Sequence, residues 1–118
     1  MQLRARLLLE NARGEAFMGA GLLCLLEAIG REHSIAQAAR AMGLSYVKAL
    51  RILQRLECNL GRRVVRRHKG GVKRGGTDLT PAGSRLASDF RQIQRRLEQS
   101  AARASRAFCR RHSRGHGR

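Results

Sequence analysis

"SIAQAARAMGLSYVKALRILQRLECNLG", Ser34 to Gly61, decides how this chain folds. Ser34 and Gln37 have the S-x-x-Q spacing of a capping box, so a helix begins at Ile35. That helix is short, Ile35 to Met42, and carries Ala36, Ala38, Ala39 and Ala41, whose small side chains permit close approach to another helix. Gly43 suits a left-handed backbone, and Ser45 is the next N-cap. The helix it opens runs to about Leu60 and stops at Gly61. Ala49, Ile52, Leu53, Leu56 and Leu60 give it an apolar face. Tyr46, Val47, Lys48, Arg51, Gln54 and Arg55 occupy the other face, with Leu50 at the margin.

Working outward, "GLLCLLEAIG" (Gly21 to Gly30) places Leu22, Leu25, Leu26 and Ile29 on one helical stripe, with Gly30 as its expected stop. Before it, Leu3, Ala5, Leu7 and Leu9 alternate with Arg4, Arg6 and an exception, Leu8, a period of two that predicts a strand over Leu3 to Leu9. "NARG" (Asn11 to Gly14) turns the chain, and Glu15 to Met18 returns as a second strand. Downstream, Arg63 to His68 has the β-branched centre of a short strand. The basic, glycine-rich "KGGVKRGGT" (Lys69 to Thr77) makes a hairpin tip, and Asp78-Leu79 leads back. Thr80-Pro81 starts the last helix, N-cap then proline. Leu86, Phe90, Ile93 and Leu97 follow the 4-3-4 spacing of a coiled-coil seam and fade into Ala101 and Ala104. From Arg103 the chain is rich in arginine and ends "RRHSRGHGR", read as a disordered basic tail. The division expected is a folded domain over 1–104, its last helix at about 81–104, and a tail over 105–118.

The chain has 118 residues and a formal charge of +17, from 25 Lys+Arg against 8 Asp+Glu. Repulsion of that size calls for a polyanionic partner. No apolar run approaches the roughly 20 residues of a spanning helix. The N-terminus lacks a secretory pattern, so a cytoplasmic protein with no membrane partner is expected. The three cysteines form no C-x-x-C pair, and Cys24 and Cys58 are expected to pack as small hydrophobes. The few acidic residues are scattered, and no catalytic signature is present, so no enzyme, cofactor or metal site is expected. Cys109, His112 and His116 have a C-x2-H-x3-H spacing, but they sit among arginines and lack a fourth ligand. "GGVKRGGT" lacks the GxxxxGK[ST] pattern of a phosphate loop. His33 and His68 are given no role.

Helices joined by a capped, glycine-containing turn and followed by a basic hairpin form a winged helix-turn-helix, a mainly α fold with a small β component. Such a fold lays the start of its second helix in the major groove of DNA. Ser45, Tyr46, Lys48 and Arg51 supply hydroxyls and cations there, with arginine suited to guanine. "SIAQAARAMGLSYVKALRILQRLECNLG", the serine-tyrosine pair within it, the wing ending "GGTDLTPAG" and the leading "LRARLLLENARGEAFMG" together resemble the DNA-binding domain of the molybdate-responsive ModE-type regulators. The LysR-type domain is a more distant likeness. The resemblance covers about Leu3 to Leu97. It implies a homodimer on double-stranded DNA, with Ser45, Tyr46, Lys48 and Arg51 at the groove; Ser34, Val47 and Arg55 complete the expected DNA-binding residues. Lys69, Lys73 and Arg74 of the wing would reach phosphate or the minor groove, and Leu86, Phe90, Ile93 and Leu97 would lie along the dimer helix. The Ser-Ala-Arg-Asn stretch of that family's oxyanion-binding domains is missing, and "SAARAS" (Ser100 to Ser105) is a different sequence. The chain is therefore not expected to bind molybdate itself, leaving any such response to a separate partner protein.

The expected function is that of a DNA-binding transcription regulator, a repressor or an activator. Two other classes fit the charge. One is an architectural protein that binds DNA with little regard to sequence. The other is an RNA-binding accessory protein, disfavoured by 3% aromatic residues, which leave no stacking platform.

Overall fold

The computed structural model describes residues 1–68 and 76–113. Its elements are β1 (Leu9–Glu10), β2 (Ala16–Met18), α1 (Ala20–Glu32), α2 (Ile35–Ala41), α3 (Tyr46–Leu60), β3 (Val65–His68), β4 (Gly76–Leu79) and α4 (Pro81–His112). This is the mainly helical, winged arrangement read from the sequence. Lys69, Lys73 and Arg74 of the wing tip lie outside the described residues, as does His116.

α1 is the central beam, packed against α2, α4 and β4. The predicted stripe of Leu22, Leu25, Leu26 and Ile29 is buried, and Leu23 and Ala28 widen it. α2 begins where the capping box predicts: the Ser34 hydroxyl accepts from the Gln37 N–H at 3.0 Å. Its Ala38 and Ala39 are fully enclosed, which lets α2 lie close against both α1 and α3. The turn closes as the Leu44 N–H donates to the Ala39 carbonyl at 2.8 Å, with Gly43 at a φ of +69°. The Ser45 hydroxyl then accepts from the Lys48 N–H at 3.0 Å and starts α3, whose Ala49, Leu53 and Leu56 complete the core.

β3 and β4 pair antiparallel, with Val65 opposite Leu79, Arg66 opposite Asp78 and Arg67 opposite Thr77. Four attachments hold the base of this wing. The Glu57 carboxylate of α3 accepts from the Val64 and Val65 N–H groups at 2.7 and 3.2 Å. The Thr80 hydroxyl donates to the Arg63 carbonyl while accepting from the Gly83 N–H. The Thr77 N–H donates to the His33 carbonyl. Finally, His33 Nδ1 and His68 Nε2 both reach the Asp78 carboxylate, at 2.6 and 2.8 Å. These two histidines, given no role from sequence alone, brace the wing against the end of α1.

Several expectations change. The N-terminal strand covers only Leu9–Glu10, not Leu3 to Leu9. Its partner β2 has three residues, so nothing remains for the earlier residues to pair with. Their alternation shows as burial instead: Ala5, Leu7 and Leu9 are half-buried, while Arg4, Arg6 and Leu8 are exposed. This segment runs beside α4, where the Leu3 N–H donates to the Ser105 hydroxyl and the Cys109 thiol lies 3.2 Å from the Met1 carbonyl. Gly30 does not end α1, which continues to Glu32 and stops on His33 in the left-handed conformation. Residues 105–112, assigned to a disordered tail, are helical. Alanine and arginine are good helix formers, and the basic last turn of Arg110, Arg111 and His112 complements the helix dipole. Cys24 and Cys58 are exposed rather than packed, because each lies on its helix away from the buried stripe.

Two predictions test these attachments. A Cβ built on Gly83 would stand 2.2 Å from the Val64 carbonyl oxygen. Gly83→Ala, which in an open helix would gain about 1 kcal/mol, should here lose about 1–3 kcal/mol through overpacking, read by urea denaturation. A stabilised variant would mean that Val64 does not bear on the helix. At Asp78, the hydrogen bonds from His33 and then His68 hold the carboxyl below its ordinary range. A depressed carboxyl stabilises the fold above its unfolded pKa of about 3.9, and the gain is lost as pH falls through the lower folded value. Asp78→Asn should therefore lower Tm at neutral pH but converge with the native chain in strong acid. Parallel Tm curves from pH 7 to pH 2 would count against the brace.

Candidate nucleic-acid interface

Along α3 the buried residues are Ala49, Leu53 and Leu56. Val47, Arg51, Gln54 and Cys58, at i, i+4, i+7 and i+11, form the opposite stripe, and all four are exposed. Lys48 and Arg55 flank it, also exposed. Leu50, at the margin in sequence, is partly buried against the core. The fold thus brings Ser45, Tyr46, Val47, Lys48 and Arg51 together on the first half of α3, with Arg55 one turn further on. Ser34 stands apart from them at the head of α2, its oxygen engaged as a cap.

Electrostatics favour an anion at this end of α3. Ser45 satisfies the Lys48 N–H, while the helix dipole adds partial positive charge to that of Lys48 and Arg51. Val47 is 59% exposed and Tyr46 43% exposed, an area of apolar and aromatic surface that nothing in the protomer covers. An arginine held on a helix face can donate two parallel hydrogen bonds to a guanine edge or a phosphate.

β3 lies beside this helix. Glu57 grips its start near the C-terminal end of α3, and Arg67 Nη2 donates to the Tyr46 hydroxyl at 2.7 Å near the N-terminal end. Arg67 was not among the candidates drawn from sequence. The signal for it was present: it stands two residues beyond Val65, which is 7% exposed, so strand alternation turns both toward α3. Arg66 and His68 take the other face, toward Asp78 and His33. On α4, Phe90 is enclosed in the protomer's own core and Leu86 packs against it. Ile93 is half exposed, and Leu97 is intermediate. Arg91 forks onto Glu27 of α1, with Nε 3.0 Å from Oε2; this hydrogen bond is the main reason the Glu27 carboxyl sits below its ordinary range.

Among the described residues no group of three or more His, Cys, Asp or Glu side chains is arranged to hold a metal ion. The His112 ring lies tilted against Phe108, with ring centroids 4.6 Å apart. No helix among these residues is long and apolar enough to cross a membrane.

Known proteins share this architecture. The molybdenum-pterin-binding protein MopB of Rhodobacter capsulatus is 44% identical over 82 residues, which are 70% of this chain and 30% of MopB. The molybdenum transport protein ModE of Azotobacter vinelandii is 36% identical over 81 residues, 69% of this chain and 30% of its own length. The chain therefore spans about a third of these relatives or less. Among solved structures, the DNA-binding domain of CbnR in complex with DNA has a TM-score of 0.59 and 30% identity, covering 74% of this chain and 93% of that one. The BenM domain bound to DNA has the same fold, with a TM-score of 0.53 at 21% identity. Residues 21–84, from α1 through the turn and wing into α4, match the family described as bacterial regulatory helix-turn-helix protein, lysR family. The chain belongs to that family, and what it carries is a helix-turn-helix DNA-binding domain.

Proposed function

We propose that this protein is a sequence-specific transcription regulator that binds duplex DNA as a homodimer, with the first half of α3 in the major groove. The observation that carries the reading is the division of α3. One stripe is fully buried, while Tyr46, Val47, Lys48 and Arg51 remain exposed on its capped end. A solvated helix face has no need of an uncovered tyrosine and valine beside its cations, whereas a groove offers thymine methyls, guanine edges and phosphates to meet them. Arg51 is assigned to base reading. Lys48, Arg55 and the wing cations are assigned to phosphate, and Ser34 and Ser45 to backbone contacts close to their caps.

The dimer is assigned to the part of α4 beyond Phe90. Ile93 and Phe108 are exposed there, 50% and 37% respectively, with Leu97 between them. Leu86 and Phe90 contribute by fixing the helix to the protomer's own core. Because MopB and ModE are both named for molybdenum, operators beside molybdenum-handling genes are the corresponding expectation.

Selection from a random duplex pool at physiological salt should enrich one sequence, an inverted repeat, at least about a thousandfold over bulk DNA. Its matches in the source genome should lie beside molybdenum genes. Arg51→Ala should lose about 1–3 kcal/mol on that sequence and much less on random duplex. Discrimination below about tenfold would sink the regulator reading and leave an architectural one. For the dimer, Ile93→Asp should shift the protein to a monomer in analytical ultracentrifugation with its helical content unchanged. A dimer that survives both this change and Leu97→Asp would place the interface elsewhere.

A further inference from the structure

Arg67 and Tyr46 meet where the wing joins the reading helix, and their hydrogen bond has a direction. The guanidinium can only donate, so the Tyr46 oxygen accepts, at 2.7 Å. The phenol proton is thereby left to donate elsewhere. Arg67 keeps further N–H donors on the same planar group, which carries five in all. Both residues are exposed, so these remaining donors face solvent side by side. Neither group floats freely. Tyr46 is the first residue of α3 after the Ser45 cap. Arg67 springs from a strand whose start is bonded to Glu57 and whose register sets it opposite the buried Thr77.

We infer that Arg67 and Tyr46 form one phosphate-gripping unit, in which Arg67 orients the phenol as a hydrogen-bond donor and both groups bind the same stretch of DNA backbone. This rests on the DNA-binding reading above and adds to it a residue and a division of labour. Arg67 is a binding residue that also positions its neighbour. Tyr46 serves affinity rather than base recognition. A base acceptor could take the same phenol proton, but on duplex DNA only the phosphates accept from a charged guanidinium at any sequence. The unit would tie the wing and α3 to one point on the duplex, fixing the angle at which Arg51 enters the groove.

The test is a double-mutant cycle with Tyr46→Phe and Arg67→Met, using the full chain and two probes: a 30-base-pair random-sequence duplex and the duplex enriched by selection. Each single change should weaken binding about fivefold on both probes alike, the scale of one net hydrogen bond. The double variant should be no more than about twofold worse than the weaker single one, because the two act together. Losses that multiply would show independent contacts and overturn the unit. A Tyr46→Phe loss confined to the selected duplex would make Tyr46 a base reader and overturn it as well. The random duplex keeps the cycle informative even if selection enriches nothing, so the two readings fail separately. The free protein gives a second readout. Tyr46 is the one tyrosine and the chain has no tryptophan, so intrinsic fluorescence reports this phenol alone. Arg67→Met should change its intensity without DNA, and an unchanged signal would mean that the bond is not made in solution.

Discussion

The contact of α2 with its two neighbours across Ala38 and Ala39 is the constraint on which the remainder hangs. Side chains of one carbon let three helices share a small volume, and the bond from the Leu44 N–H to the Ala39 carbonyl fixes how α3 departs from α2. Larger residues would push the helices apart and swing the exposed stripe of α3 to a new direction. The functional surface is therefore set by two residues that it does not contain. A positive φ at Gly43 and the two serine caps serve the same geometry, each satisfying backbone groups that a sharp turn would otherwise leave bare.

The wing is attached by a different logic. Its strands are short, and Val64 and Val65 give it only a small apolar footing. Polar bonds from three directions supply the rest: Glu57 from α3, Thr80 from the start of α4, and His33 from the end of α1. Each of these three helices thus holds one side of the hairpin. The part-buried bonds of Glu57 and Thr80 add strength, whereas the exposed His33–Asp78 contact provides position more than strength. Together they set the wing relative to α3, which is the quantity a two-point grip on DNA depends on.

How much of this was legible in the sequence follows from the range of each interaction. Caps and helical stripes are local, and Ser34, Ser45, Thr80 and the leucines of α1 stand where their spacing puts them. The strand expected from Leu3 onward was misread because alternation reports a half-buried segment whether or not a partner strand exists. The arginine-rich end was misread because charge says little about helix formation when alanines intervene and the chain's own first residues lie alongside. His33, Asp78 and His68 were out of reach. They come from a helix end and two strands, and no periodicity links 33 to 78. Arg67 lay between these cases, since strand alternation from Val65 pointed to its side and only the fold showed that Tyr46 waited there.

α4 gives the molecule its elongated form, 68 × 31 × 23 Å. Its 32 residues make a rod of about 48 Å, and only its first third is bedded in the core. The free part of such a rod is a lever whose fulcrum lies where Phe90 and Arg91 leave the core. A tilt of about 5° there would carry the far end through about 3 Å. The N-terminal residues, bonded to Ser105 and lying beside Cys109, act as a stay on that lever. The first few residues of the chain thus help set the reach of its last helix.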